Sequence, residues 1–188
     1  MSRIIAGLAG SIKLKTAAKA TRPTSDRVKE SVFAKLESMG AISDARVLDL
    51  FAGTGALGLE AASRGATSVT FVEKDHAASA VCVENINAIQ ASLQKQGHAC
   101  ELKLEKLDAK TFASRNGLSF DLVFLDPPYD FENEALELLL TELAKSLNSQ
   151  AMVVVERDSR SPELRLPDGL TLESRKNYGD TSVFFIEA

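Results

Sequence analysis

The sequence is poor in the residues that carry disulfide, metal or membrane chemistry. Its 188 residues include two cysteines, two histidines, two tyrosines and no tryptophan. Cys82 and Cys100 are too few for a disulfide framework, and each reads as a small buried hydrophobe. His76 and His98 stand far apart with no cysteine pair at ligand spacing, so no zinc site or other metal is expected. No stretch approaches the roughly 20 apolar residues of a membrane span. Arg3 and Lys13 flank only a short apolar stretch broken by Gly7 and Gly10. That is no secretory signal, and the expected location is cytoplasmic. Internal repeats and low-complexity tracts are missing as well. Net positive charge is also lacking: the formal charge is −4, which on its own argues against a nucleic-acid partner.

The distribution of charge says otherwise. Residues 1–30 carry Arg3, Lys13, Lys15, Lys19, Arg22, Arg27 and Lys29 against only Asp26 and Glu30. A basic N-terminal arm on an acidic body can grip phosphates locally, and the same lysines can equally form a solvated surface. The length and a hydrophobic content of 45% suit one domain with a proper core.

Residues 3–6 and 12–15 read as two short strands with Gly7 and Gly10 between them, a hairpin signal. A small, polar linker follows to Pro23. Thr24 or Ser25 then caps a helix on which Val28, Val32, Phe33, Leu36 and Met39 recur at helical spacing, and Gly40 ends it. From residue 46 the pattern alternates. Strands are predicted at 46–51, 68–73, 100–106, 122–126 and 151–156. Between them come helices from Leu57 to Gly65, over 76–91, after Asp108 and over 133–147. Residues 157–169, with Pro162 and Pro167, read as a loop. Strands at 170–176 and 182–187 close the chain through Tyr178-Gly179-Asp180-Thr181. Such alternation predicts an α/β fold with a seven-stranded mixed sheet. The closing hairpin lacks a crossover helix, so its last strand must run antiparallel to its neighbour.

Between the first of these sheet strands and its helix lies Asp49-Leu50-Phe51-Ala52-Gly53-Thr54-Gly55-Ala56-Leu57-Gly58. Gly53 and Gly55 let the backbone approach a ligand, at the carboxyl edge where ligands of parallel sheets bind. Glu73 ends the next strand at the spacing expected of an acid that accepts hydrogen bonds from ribose hydroxyls. Gly53-x-Gly55-x-x-Gly58 also satisfies the dinucleotide fingerprint, and both NAD and S-adenosylmethionine present an adenosine ribose to such a loop. Asp49 favours the methyl donor. A carboxylate there faces a pyrophosphate unfavourably but suits a sulfonium and an amino group. Asp108 follows the third strand, where it can reach an adenine amino group or simply cap a helix.

Asp126-Pro127-Pro128-Tyr129 ends the fourth strand. An exocyclic amino group on a base is a poor nucleophile because its lone pair is delocalised into the ring. Attack on a methyl group needs acceptors for its two protons, held out of the ring plane. The Asp126 carboxylate and the Pro127 carbonyl can supply them, the latter fixed in advance by proline rings. Tyr129 offers a flat face on which an extruded base can stack. The pattern therefore predicts a methyltransferase acting on an amino nitrogen of a nucleic-acid base, with S-adenosylmethionine as cofactor.

These residues resemble the class I methyltransferases, with their glycine-rich first motif and Asp-Pro-Pro-Tyr fourth motif. The segments 3–7, 22–30, 48–61, 63–66 and 178–181 further resemble the RsmD family, bacterial enzymes that methylate guanine N2 in 16S rRNA. The resemblance implies a Rossmann-like catalytic domain over residues 23–188, preceded by an RNA-contacting hairpin and linker over residues 1–22. Asp126, Pro127, Pro128 and Tyr129 would hold the target amino group. Asp49, Phe51, Ala52, Gly53, Thr54, Gly55, Glu73, Lys74 and Asp108 would hold the cofactor. Arg3, Lys13, Lys15, Arg22 and Arg27 would contact 16S rRNA, within a small-subunit particle. The family often has further basic residues where this chain has Ser11 and Ile12, and arginine where it has Lys29. Adenine-N6 and cytosine-N4 methyltransferases share the tetrapeptide, which keeps a DNA adenine-N6 methyltransferase as an alternative. A nicotinamide-dependent dehydrogenase and a non-catalytic RNA-binding module are the alternatives from other classes.

Overall fold

The computed structural model describes residues 2–16, 26–115 and 117–188. The main chain begins with helix α1 (Asp26–Ser38), whose buried stripe is Val28, Lys29, Val32, Phe33 and Leu36. Its predicted cap, Thr24 or Ser25, lies outside the described residues. Then β1 (Arg46–Asp49), α2 (Ala56–Ser63), β2 (Ser68–Val72), α3 (His76–Lys95), β3 (Glu101–Glu105), α4 (Ala109–Ala113), β4 (Phe120–Leu125) and α5 (Asn133–Ala144) alternate along the chain. Three consecutive strands close it: β5 (Leu147–Asp158), β6 (Thr171–Tyr178) and β7 (Thr181–Glu187).

The seven strands form one sheet in the order β3-β2-β1-β4-β5-β7-β6. Strands β1 to β5 pair in parallel. Strand β7 runs antiparallel to both of its neighbours. Two apolar layers cover the sheet. On one face Val47, Phe71, Phe124, Val154 and Phe185 pack with α1, α2 and α3. On the other, Leu48, Val72, Val123, Val153 and Ile186 pack with α4 and α5. The near-continuous hydrophobicity of β4 and the middle of β5 follows from this double cover. Strand order reverses between β1 and β4, which opens a crevice beyond their carboxyl ends.

Several element ends differ from expectation, and β5 differs at both. Strand β5 reaches Asp158, two residues into the predicted loop, because Arg157 and Asp158 pair with Ser182 and Thr181 of β7. Pairing partners, not hydrophobicity, extend it. At its other end β5 begins at Leu147, where the helix was expected to continue. Ladder pairing with Phe120 starts there, and a bulge with Gln150 at φ 65° separates it from the apolar run.

The predicted N-terminal hairpin consists of one antiparallel bridge, Arg3 with Lys13. Hydrogen bonds from Ile4 N to Ile12 O (2.9 Å) and from Leu14 N to Ser2 O (2.9 Å) flank it. Residues 6–11 coil too tightly to extend a ladder, because they pack onto α2. Ile5 N and Ala6 N donate to the Glu60 carboxylate at 2.7 and 3.1 Å, and Leu8 N donates to Ser63 O at 2.7 Å. Gly7 has φ +81°, and a Cβ there would stand 2.0 Å from Ser63 O, so the close approach requires glycine. Glu60 is wholly buried and also pairs with Arg64 (2.8 Å) and Lys29 (3.5 Å). Lys29 in turn donates to Arg3 O. Burial lowers the Lys29 ammonium pKa, opposed by the charges of Glu60 and Asp26.

Candidate active site

The loops after β1, β2, β3, β4 and β5 wall a single cavity of about 780 Å³, within the usual range for a small-molecule site. Register explains its composition. Asp49 pairs with Phe71 and Phe124, and Phe124 pairs with Val154. Each of those three packs on the α1–α2–α3 face. Two residues further on, the same face of each strand carries Glu73, Asp126 and Glu156. Four carboxylates therefore stand on or just beyond four neighbouring strands, near their carboxyl ends, and all line the cavity.

The first two acids shape the glycine-rich loop. Asp49 is 1% exposed and accepts Gly58 N–H at 2.9 Å, inside the first turn of α2. Burial pushes its pKa up to about 7, against the Gly58 hydrogen bond, and the charges of Asp126 and Glu73 push the same way. Glu73 accepts Gly53 N–H (2.8 Å) through one oxygen and Asp75 N–H (2.7 Å) through the other. The loop continues the sheet through Ala52 N, which donates to Val72 O at 3.0 Å. Gly55 ends the turn at φ 86° as the residue before α2. Gly58 is required for a different reason, since a Cβ there would lie 2.4 Å from the Phe71 ring. The third glycine of the pattern thus serves helix–sheet packing.

Asp108 lines the cavity and caps α4, accepting Lys110 N–H at 2.9 Å. The expected helix cap is met, and the residue lines the cavity as well. Lys74 lies on the rim, 3.8 Å from the Asp108 carboxylate. Phe51 packs edge-on to Phe131 with ring centres 5.2 Å apart, joining the glycine-rich loop to the segment after the tetrapeptide. In that segment Phe131 N donates to Pro128 O at 2.9 Å and closes a turn. Tyr129 sits on the turn at 65% exposure, an aromatic ring left at the mouth of the cavity.

A methyl donor fits this charge pattern and a dinucleotide does not. In dinucleotide sites the first turn of the helix offers its N–H groups to a pyrophosphate. Here Gly58 N–H is taken by the chain's own carboxylate, and further acids surround it. A cationic sulfonium is stabilised in such a field. The cysteines take no part. Burial pushes Cys82 up to about 12, with Asp49 and Glu73 adding to it, and burial then Glu101 raise Cys100 to about 11. Among the described residues no group of acids, histidines and cysteines could hold a metal, and no helix is long and apolar enough to cross a membrane.

The model of a family described as conserved hypothetical protein 95 matches residues 2–187. Ribosomal RNA small subunit methyltransferase D of Haemophilus influenzae is 37% identical over 183 residues, covering 96% of this chain and 90% of the relative. The chain belongs to the RsmD family of methyltransferases. A solved structure of a Thermus thermophilus protein superposes with TM-score 0.82 at 29% identity, covering 100% of both chains. The rRNA methyltransferase AviRa of Streptomyces viridochromogenes shares the fold alone, with TM-score 0.71 at 18% identity over 96% of this chain and 91% of that one. The family's cofactor is S-adenosylmethionine.

Within this RsmD-family fold the expected target residues and all the expected cofactor residues but Gly55 line one cavity, and the described residues among the expected RNA contacts lie outside its wall. Arg3 and Lys13 face each other across the bridge, both exposed. Arg3 stands 3.6 Å from Asp26, Lys15 pairs with Glu84, and Arg27 is exposed on α1. Arg22 lies outside the described residues. Three working residues escaped the sequence reading. Glu156 lies within β5 beside Asp126, two residues before the strand ends, and an acid closing the run Val153-Val154-Val155 was its signal. Lys29 falls on the stripe of Phe33 and Leu36, which marks it as buried. Asn85 accepts from Lys15 N (2.8 Å) and donates to Lys15 O (3.0 Å) and Thr54 O (2.9 Å), tying the arm to the glycine-rich loop. Nothing in its surroundings in the sequence foretold that.

Proposed function

We propose that the protein transfers a methyl group from S-adenosylmethionine to the exocyclic N2 of a guanine in 16S rRNA of the small ribosomal subunit, in the cytoplasm. One observation carries the reading: Asp126 to Tyr129 and Gly53-Thr54 of the glycine-rich loop line one cavity across the β1–β4 crevice. The name of the Haemophilus relative supports ribosomal RNA as the substrate class.

Asp49, Glu73 and the Gly53–Gly55 backbone hold the donor, with Asp108 and Lys74 at its adenine end. The bound cofactor supplies a methyl group already activated on a cationic sulfonium. Asp126 and the Pro127 carbonyl accept the two amino protons of the target base and draw its lone pair out of the ring. The prolines fix that carbonyl before the base arrives, so little reorganisation remains for the transition state. Tyr129 stacks the extruded base. Asp126 then receives the proton that the methylated nitrogen sheds. The arm with Arg3, Lys13 and Lys15, together with Arg22 and Arg27, holds phosphates away from the reacting atoms, as part of residues 1–22 and the start of α1.

Labelled methyl groups from S-adenosylmethionine should appear in 16S rRNA from a deletion strain as N2-methylguanosine. N6-methyladenosine or N4-methylcytidine instead would overturn the reading.

A further inference from the structure

We propose that Glu156 selects guanine by accepting the ring N1–H of the target base, beside the amino nitrogen that Asp126 holds. The inference rests on the methyltransferase reading above and names what chooses the base.

The argument starts from strand register. Leu125 pairs with Val155 in parallel β4 and β5, so Asp126, just past the end of β4, and Glu156, still within β5, lie side by side. Parallel partners point to the same face, and neighbouring strands lie about 4.8 Å apart. Both residues are half-buried and line the cavity with Tyr129. On its other side Glu156 pairs with Val183 of β7.

Base chemistry then discriminates. A guanine presents two adjacent donors on one edge, N2–H and N1–H. Adenine and cytosine present an amino donor next to a ring nitrogen that accepts. An ionised carboxylate only accepts. Two carboxylates side by side therefore match guanine, and they set a lone pair against a lone pair for the other two bases. Asp126 alone serves any amino group. The second acid, one strand over, adds the choice.

The test uses 16S rRNA carrying guanine or, by ligation, 2-aminopurine at the target position, free and reconstituted into small-subunit particles. The analogue keeps the amino group but its N1 accepts. The wild type should prefer guanine by roughly tenfold or more in kcat/KM. Glu156→Gln should lower the guanine rate, raise the 2-aminopurine rate and bring the two within about threefold, because an amide can donate to N1. Glu156→Ala should lose rate on guanine and gain none on 2-aminopurine. Cofactor affinity measured by calorimetry should stay within about twofold in both, as Glu156 lies beyond the cofactor's side of the cavity. An unchanged base preference in Glu156→Gln, at whatever overall rate, overturns the role of Glu156 while the guanine-N2 reading stands. A wild type that labels no guanine N2 overturns both.

Discussion

The two halves of the sheet's carboxyl edge hold their loops in different ways. On the β1–β2 half, acids do the holding: Asp49 takes Gly58 N–H, and Glu73 takes Gly53 N–H and Asp75 N–H. On the β4–β5 half, Pro127 and Pro128 stiffen the backbone, and a turn from Phe131 N to Pro128 O closes it. Acids bound to backbone define a shape and a negative field, which suits a cofactor that need only be held. Proline rings stiffen the turn without a side-chain brace, so carboxylates at the same edge can serve the reacting group. On the proposed function, one half positions the cofactor and the other does the chemistry.

The sharpest way to break this comparison is Asp126→Ala. Methyl transfer should fall by about 100-fold or more while calorimetric affinity for S-adenosylmethionine changes less than about threefold. Parallel losses in both would erase the division between the halves. Glycine substitutions probe the packing of the first half. Gly58→Ala drives a Cβ to 2.4 Å from Phe71 and should cost about 1–3 kcal/mol in a urea melt. Gly53→Ala meets nothing within 4 Å and should cost only the penalty of its positive φ, about 1 kcal/mol. A reversed order would mean that the loop, rather than the helix–sheet contact, is the tight point.

A smaller effect is expected from Asp49→Asn in a pH series. The folded pKa of Asp49, about 7, is above its ordinary 3.8, so the folded state binds the extra proton between those values. The contribution to stability is full below about pH 4 and is lost as pH rises to about 7. Cofactor affinity should move the other way in the wild type, strengthening through pH 7 as a cation favours the ionised acid. In Asp49→Asn both slopes should flatten. If calorimetry across that range shows equal slopes in the two proteins, Asp49 is not the group that senses the cofactor's charge. Smallest of all, replacing Lys13 and Lys15 by Gln should leave the chemistry intact and reduce the salt dependence of RNA binding by about 0.7 in slope for each lost phosphate contact. An unchanged slope would remove the arm from the RNA interface.

Much of this was legible along the chain. Alternating strands and helices, the turn after β1 and the tetrapeptide after β4 all follow from local pattern, because period and turn chemistry are local. Asp108 could be read as a helix cap or as a partner of an adenine amino group; it is the cap, and it lines the cavity. The hairpin was overread: glycines and alternating apolar residues announced two strands, whereas Glu60 and Ser63 of α2 claim the backbone N–H groups that a ladder would use. The length of β5 was underread, since the polar residues Arg157 and Asp158 are held as strand by β7 alone.

From the order of residues alone came the glycine-rich turn, the acid closing β2 and the rigid proline pair, each a matter of what neighbouring backbone permits. Only the folded sheet decided that these meet, and that Glu156 stands beside Asp126 and Lys29 beneath the arm. Strand order and register bring together residues far apart in the chain, and neither is written in any short window of sequence.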